Sequence, residues 1–168
     1  MTRAREIASQ GGLVLLNTTT FSAQSSVSFN NVFSSTYTHY KVVWNGTSST
    51  GFSPINLRAR SNATDVTSGY YCASRWDSYN GTSGSSDVSN GGFATLFIGW
   101  SIPTNFHFDT FATGNDLFFT GLGHGTDVRV TRMAGVGGGA GGVPVTGFTI
   151  FPTSGTITGT FRIYGYRN

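Results

Sequence analysis

Charge is scarce in this 168-residue chain: 10% of its residues are Asp, Glu, Lys or Arg, and Lys41 is the only lysine. An average soluble domain carries about 25%. The net charge of +3 rests almost wholly on arginines, and the nearest-spaced of them stand as isolated pairs (Arg3 and Arg5, Arg58 and Arg60, Arg129 and Arg132). No basic run interleaved with aromatics could follow a phosphate backbone, so no nucleic-acid partner is expected. Cysteine is nearly absent too. Cys72 stands alone, which excludes an intrachain disulfide and a multi-cysteine zinc site and suits a small buried hydrophobe. The opening "MTRAREIASQ" has no apolar stretch of signal-peptide type, and no run reaches the roughly 18 apolar residues of a membrane span. Synthesis in a cytoplasm without membrane insertion is the expectation. Helical periodicity is confined to "TRAREIAS", a segment too short to hold itself in water without something to dock on.

What the chain has in quantity is glycine (24), phenylalanine (14) and small hydroxyl and amide side chains. The aromatic content of 14% supplies the apolar area that disordered segments lack. After "QGG" the apolar residues recur with period two, which predicts strands over 26–29, 40–44, 55–60, 93–100, 106–111, 117–120, 128–133, 145–151 and 157–166. Turn formers punctuate them at Asn45-Gly46, Ser53-Pro54, Asn80-Gly81, Asn90-Gly91, Gly114-Asn115 and Ser154-Gly155. Close strand spacing without helical crossovers predicts an all-β fold, an antiparallel β-sandwich of jelly-roll-like type. One such domain would fill residues 13–168, behind a short N-terminal leader, 1–12. In 55–60 the alternation turns Ile55, Leu57 and Ala59 inward and Asn56, Arg58 and Arg60 outward. The final stretch "GTFRIYGYRN" places Phe161, Ile163 and Gly165 on one face and Arg162, Tyr164 and Tyr166 on the other. A strand of that make closes the chain inside a sheet, where no edge is left to protect. Residues 79–92, "YNGTSGSSDVSNGG", read as a long polar loop, and "GVGGGAGG" at 135–142 as a glycine loop between strands.

Catalytic constellations are thin. No G-x-S-x-G is present, and the acids Glu6, Asp65, Asp77, Asp87, Asp109, Asp116 and Asp127 fall mostly in predicted loops, where Asp serves turns. His107 alternates with Phe106 and Phe108 and belongs on a solvated face, while His124 in "GLGHGTD" reads as a turn histidine. "GGGAGG" satisfies a dinucleotide-binding spacing in form, but a strand follows it where the chemistry needs a helix. The segment "GYYCASRWDSYNG" is different. Tyr71, Trp76 and Tyr79 beside Arg75 and Asp77 have the composition of a sugar-binding surface, rings for pyranose faces and charged groups for hydroxyls. The alternative is that Tyr70, Cys72 and Trp76 are the core side of one more strand.

Two blocks carry a resemblance. "FSSTYTHYKVVW", with Asn31 ahead of it, and "GFTIFPTSGTITGTFRIYGYRN" resemble the β-rich domain of tail-fibre-type virion proteins in tailed phages of marine and cyanobacterial hosts, and "TRAREIA" is similar to the leader that precedes such domains. The resemblance implies a structural protein on the virion surface, often trimeric, with no catalytic residue, metal or cofactor. It implies attachment to host-surface glycan, with capsid, tail or baseplate proteins as partners. A second reading is a capsid or tail decoration protein anchored by its leader through Thr2, Arg3, Arg5, Glu6 and Ile7. A glycan depolymerase is the weakest.

Overall fold

The computed structural model describes residues 12–50, 53–99, 104–113, 115–125, 129–137 and 144–167. The described residues form strands and no helix. An eight-stranded sheet contains β1 (Leu13–Gln24), β3 (Tyr40–Ser48), β6 (Tyr70–Ser78), β7 (Ser83–Gly91), β9 (Thr104–Thr113), β10 (Asp116–Gly125), β11 (Arg129–Gly137) and β13 (Ile157–Tyr166). Its order is β1-β13-β3-β9-β10-β11-β6-β7. A five-stranded sheet contains β2 (Val27–Phe29), β4 (Ser53–Ser61), β5 (Thr64–Asp65), β8 (Ala94–Gly99) and β12 (Gly147–Pro152), with β12 between β2 and β4. All pairings are antiparallel, and the two sheets pack face to face as an all-β sandwich.

The core forms where the alternating apolar sides of the sheets meet. Tyr40, Val42 and Trp44 of β3, Phe106 and Phe108 of β9, and Phe161 and Ile163 of β13 face Ile55, Leu57 and Ala59 of β4 and Phe148 and Ile150 of β12, all of them buried. Rings interlock across the gap: Phe108 lies 5.9 Å from Phe148 and Phe29 lies 5.2 Å from Phe161. Each such ring contributes on the order of 1.5–3 kcal/mol by leaving water. The terminal strand β13 lies between β1 and β3, and its alternation is as the sequence requires, with Phe161 and Ile163 buried and Arg162 exposed.

Elsewhere the structure corrects the sequence reading. Residues 79–92 are not a long loop: 83–91 form β7, hydrogen-bonded to β6, and only 79–82 turn, with Gly81 at φ 82°. Ser, Asn and Gly hid this strand because a surface strand at a sheet edge needs few apolar residues. Asn45-Gly46 is no turn but the interior of β3. Gly46 is glycine because a Cβ there would stand 2.3 Å from the Thr158 carbonyl oxygen and 2.6 Å from the Trp44 ring nitrogen. Ser53-Pro54 likewise opens β4. Asn56 keeps the side opposite Ile55 and Leu57, in register with Phe151, yet is buried there at 1% exposure, donating to Thr153 Oγ1 at 2.9 Å and accepting from Thr95 Oγ1 at 3.3 Å. Buried amides persist where their hydrogen bonds are met. His124 lies within β10 rather than in a turn, and Asp65, Asp77, Asp87, Asp109 and Asp116 all lie on strands. The leader, with Thr2, Arg3, Arg5, Glu6 and Ile7, and the glycines 138–142 lie outside the described residues.

Candidate functional site

Strand register sets side chains on the outer face of the large sheet into rows running across the strands. One row reads Ser85, Arg75, Arg132, Leu122, His107 from β7 to β9. The next reads Asp87, Ala73, Ala134, Thr120, Asp109, and the third Ser89, Tyr71, Val136, Phe118, Phe111. The middle row is short in its centre and the flanking rows are long, so the face carries a trench with Ala73, Ala134 and Thr120 as its floor. A cavity of about 650 Å³ lies between the first and middle rows. A second, of about 390 Å³, lies between the middle and third rows. Both are lined by Asp109, Thr120 and Ala134, which makes them one depression. Four interstrand spacings separate β7 from β9, about 19 Å in all.

Two ion-pair networks border it. Asp77 accepts from Arg75 Nε at 3.3 Å and from Arg132 Nη2 at 3.1 Å, holding both guanidinium groups of the first row. Asp109, at the β9 end, receives the Tyr166 hydroxyl at 2.7 Å and the Lys41 ammonium at 3.5 Å. That hydrogen bond, with lesser help from burial, pushes the Tyr166 phenol up to about 12. Burial first and the Lys41 cation second hold His107 below the ordinary histidine range, so its ring is neutral at neutral pH. The third row offers rings: Phe111 and Phe118 stack at 4.8 Å and 7°, His39 lies 5.6 Å from Phe111, and Tyr71 is 50% exposed. Neutral hydroxyl-rich molecules suit such a site, which has ring faces to stack on and fixed donors and acceptors. Among the described residues no group of three His, Cys, Asp or Glu is placed to hold a metal ion.

The five residues picked out in sequence do not form one site. Tyr71 and Arg75 line the trench rows, and Asp77 positions the arginines from one row further out. Trp76 is on the opposite face, in register with Thr131 and Gly84 and on the same side as buried Cys72 and Ser74. Its indole lies so close over Gly84 that a Cβ there would be 2.7 Å from the ring nitrogen. The core side of a strand is thus the setting found for Tyr70, Cys72 and Trp76. Tyr79 stands on the β6–β7 turn, 83% exposed and outside the trench. Sequence reasoning missed Arg132, Asp109, Phe111 and Phe118, which lie far along the chain from Tyr71 and reach it only through the order β9-β10-β11-β6. One signal was available: Arg132, Asp109 and His107 occupy outward positions of strands the alternation had already marked.

Fold and trench together define an antiparallel β-sandwich with an open depression across the outer face of its larger sheet. No protein-family model matches the chain, and no curated protein sequence matches it. Among solved structures it is similar to the CBM2 module of the evolved Dit of Lactobacillus casei BL23 phage J-1, at a TM-score of 0.36 and 13% identity over 85% of this chain and 69% of that one. It is also similar to the CspB protease of Clostridium perfringens, at a TM-score of 0.16 and 11% identity over 84% of this chain and 24% of that one. Neither likeness is close enough to carry a function across.

Proposed function

We propose that the chain is a bacteriophage virion protein displayed on the particle surface, and that its trench attaches to glycan on the host. The trench carries the glycan part of this reading: exposed rings, ion-paired arginines and carboxylates are brought onto one open face from β6, β9, β10 and β11. The resemblance of the two sequence blocks to tail-fibre-type virion domains supports the virion part. The site binds rather than cleaves, because Asp77 and Asp109 are engaged in ion pairs and its carboxylates stand on an open face rather than across a cleft from each other.

The finer reading is a homotrimeric tail-fibre module. Self-association is supported by β1, a twelve-residue edge strand without a single charged residue, on which Leu13, Leu15 and Leu16 are exposed. Long uncharged edges are where chains pair.

The test is binding of fluorescent protein to host cells and to their purified envelope polysaccharide. Ala134→Trp fills the floor from an exposed position and should leave the circular dichroism unchanged while abolishing binding. Trp76→Ala lowers stability and leaves the trench side chains in place. Wild-type protein that binds no envelope sugar refutes the reading, and an Ala134→Trp variant that binds normally moves the site elsewhere.

A further inference from the structure

We infer that the trench takes an uncharged, linear glycan lying across the strands from Asp87 to Asp109, with Tyr71 and Phe111 as its two stacking platforms. The inference rests on the glycan-binding reading above and specifies its ligand. Three cations border the trench, Arg75, Arg132 and Lys41: the two arginines share the single carboxylate of Asp77, and Asp109 takes the lysine. Asp87 adds a further negative charge at the β7 end, with no ion pair among the described residues. With Asp87 counted, three carboxylates stand against three cations, so an anionic polymer would find no net positive charge here and would meet carboxylates at both ends of its path. Hydroxyl groups gain from the same arrangement, since ion-paired guanidinium and carboxylate groups keep free donors and acceptors pointing outward. The neutral state of His107 removes a fourth cation and leaves a ring nitrogen able to accept.

The aromatic groups set direction and length. Tyr71 is on β6 and Phe111 on β9, in the same row, 50% and 37% exposed. Three interstrand spacings separate them, about 14 Å. A single sugar ring cannot touch both, whereas a short run of sugars can, following the row over Val136 and Phe118 with the small floor of Ala73, Ala134 and Thr120 alongside it. The Phe111 ring is held by its stack on Phe118, so it meets the ligand already ordered.

Affinity electrophoresis of the intact chain tests this with two panels: neutral polymers (dextran, mannan, a β-galactan, soluble β-glucan) and anionic ones (hyaluronate, alginate, polyglycerol phosphate). The expected result is retardation by at least one neutral polymer, unchanged when salt is raised, and none by the anionic set. Tyr71→Ala and Phe111→Ala should each weaken that retardation about three- to tenfold, and Tyr79→Ala should not change it. Fragments of the retained polymer should gain affinity with length until both rings are spanned. Retardation by anionic polymers alone, weakening with salt, overturns the neutral-ligand inference and leaves the glycan reading standing. Retention of a neutral polymer that is unaffected by both ring substitutions overturns the path. If neither the panels nor host envelope polysaccharide retards the protein, the glycan reading falls with it.

Discussion

Replacing Tyr70 by Phe removes one oxygen from a residue with 0% exposure and should cost more than its size suggests. That hydroxyl accepts from the Ala59 backbone N–H at 2.8 Å and donates to the Val66 carbonyl at 2.8 Å. It thereby joins the start of β6 in one sheet to β4 in the other and to the chain leaving β5. Phenylalanine fits the same space, but it strands a buried donor and a carbonyl oxygen. Two lost hydrogen bonds plus the cost of the stranded groups amount to about 2–4 kcal/mol, which lowers Tm by about 6–12 °C for a chain of this length. Urea and thermal unfolding followed by circular dichroism read the change directly. The pH dependence gives an independent check. Burial above all pushes the Tyr70 phenol up to about 12 from 10.0. A folded pKa above the unfolded one means that stability is fully present below pH 10.0 and is lost as pH climbs from there to about 12. The full loss is about 3 kcal/mol, at roughly 1.4 kcal/mol for each pH unit. Tyr70→Phe should therefore be less stable at neutral pH and should lose less between pH 10 and 12. A stability change below about 0.5 kcal/mol, within the range of neutral surface substitutions, would refute the argument that this hydroxyl ties the sheets together.

Gly121→Ala should destabilise by about 1–3 kcal/mol through overpacking, because its Cβ would sit 2.4 Å from the His107 carbonyl oxygen and 2.7 Å from Phe108 Cβ. Unfolding midpoints equal to wild type would show that the β9–β10 backbone yields there. Because His107 is held below its ordinary range, its contribution to stability is present above pH 6.5 and declines as pH falls through the lower folded value. His107→Gln should flatten that acid limb in urea titrations, and an unchanged limb would assign it to other groups. Leu13→Lys combined with Leu15→Lys charges the β1 edge. If copies associate through that strand, sedimentation velocity should show an assembly for wild type and the 17.8 kDa monomer for the variant. Equal masses for the two would exclude the edge as the contact.

The fold was legible wherever one face of a strand is apolar. In β3, β9 and β13 the alternation of Tyr40, Val42 and Trp44, of Phe106 and Phe108, and of Phe161 and Ile163 predicts both strand and buried side, because burial selects every second residue whatever the partner strand is. It failed where that selection is weak. The edge strand β7 presents Ser and Gly to its neighbours, and the edge strand β1 is only partly covered, so neither shows a clean pattern. Alternation gave Asn56 its side but not its burial, which depends on Thr95 and Thr153, and neither is a sequence neighbour.

The candidate site divides along the same line. That Tyr71 and Arg75 face outward, and that Trp76 could face inward, was readable from the strand, since neighbours on a strand point to opposite faces. Sequence alone determined the all-β character and the side on which most strand residues lie, because both follow from a local period of two. Tertiary structure decided which strands are neighbours. The order β9-β10-β11-β6-β7 places Arg132 beside Arg75, brings Phe111 and Asp87 onto the same face as Tyr71, and lines up the small residues that make the trench. Strand order depends on pairings between distant segments, and no local pattern encodes those pairings.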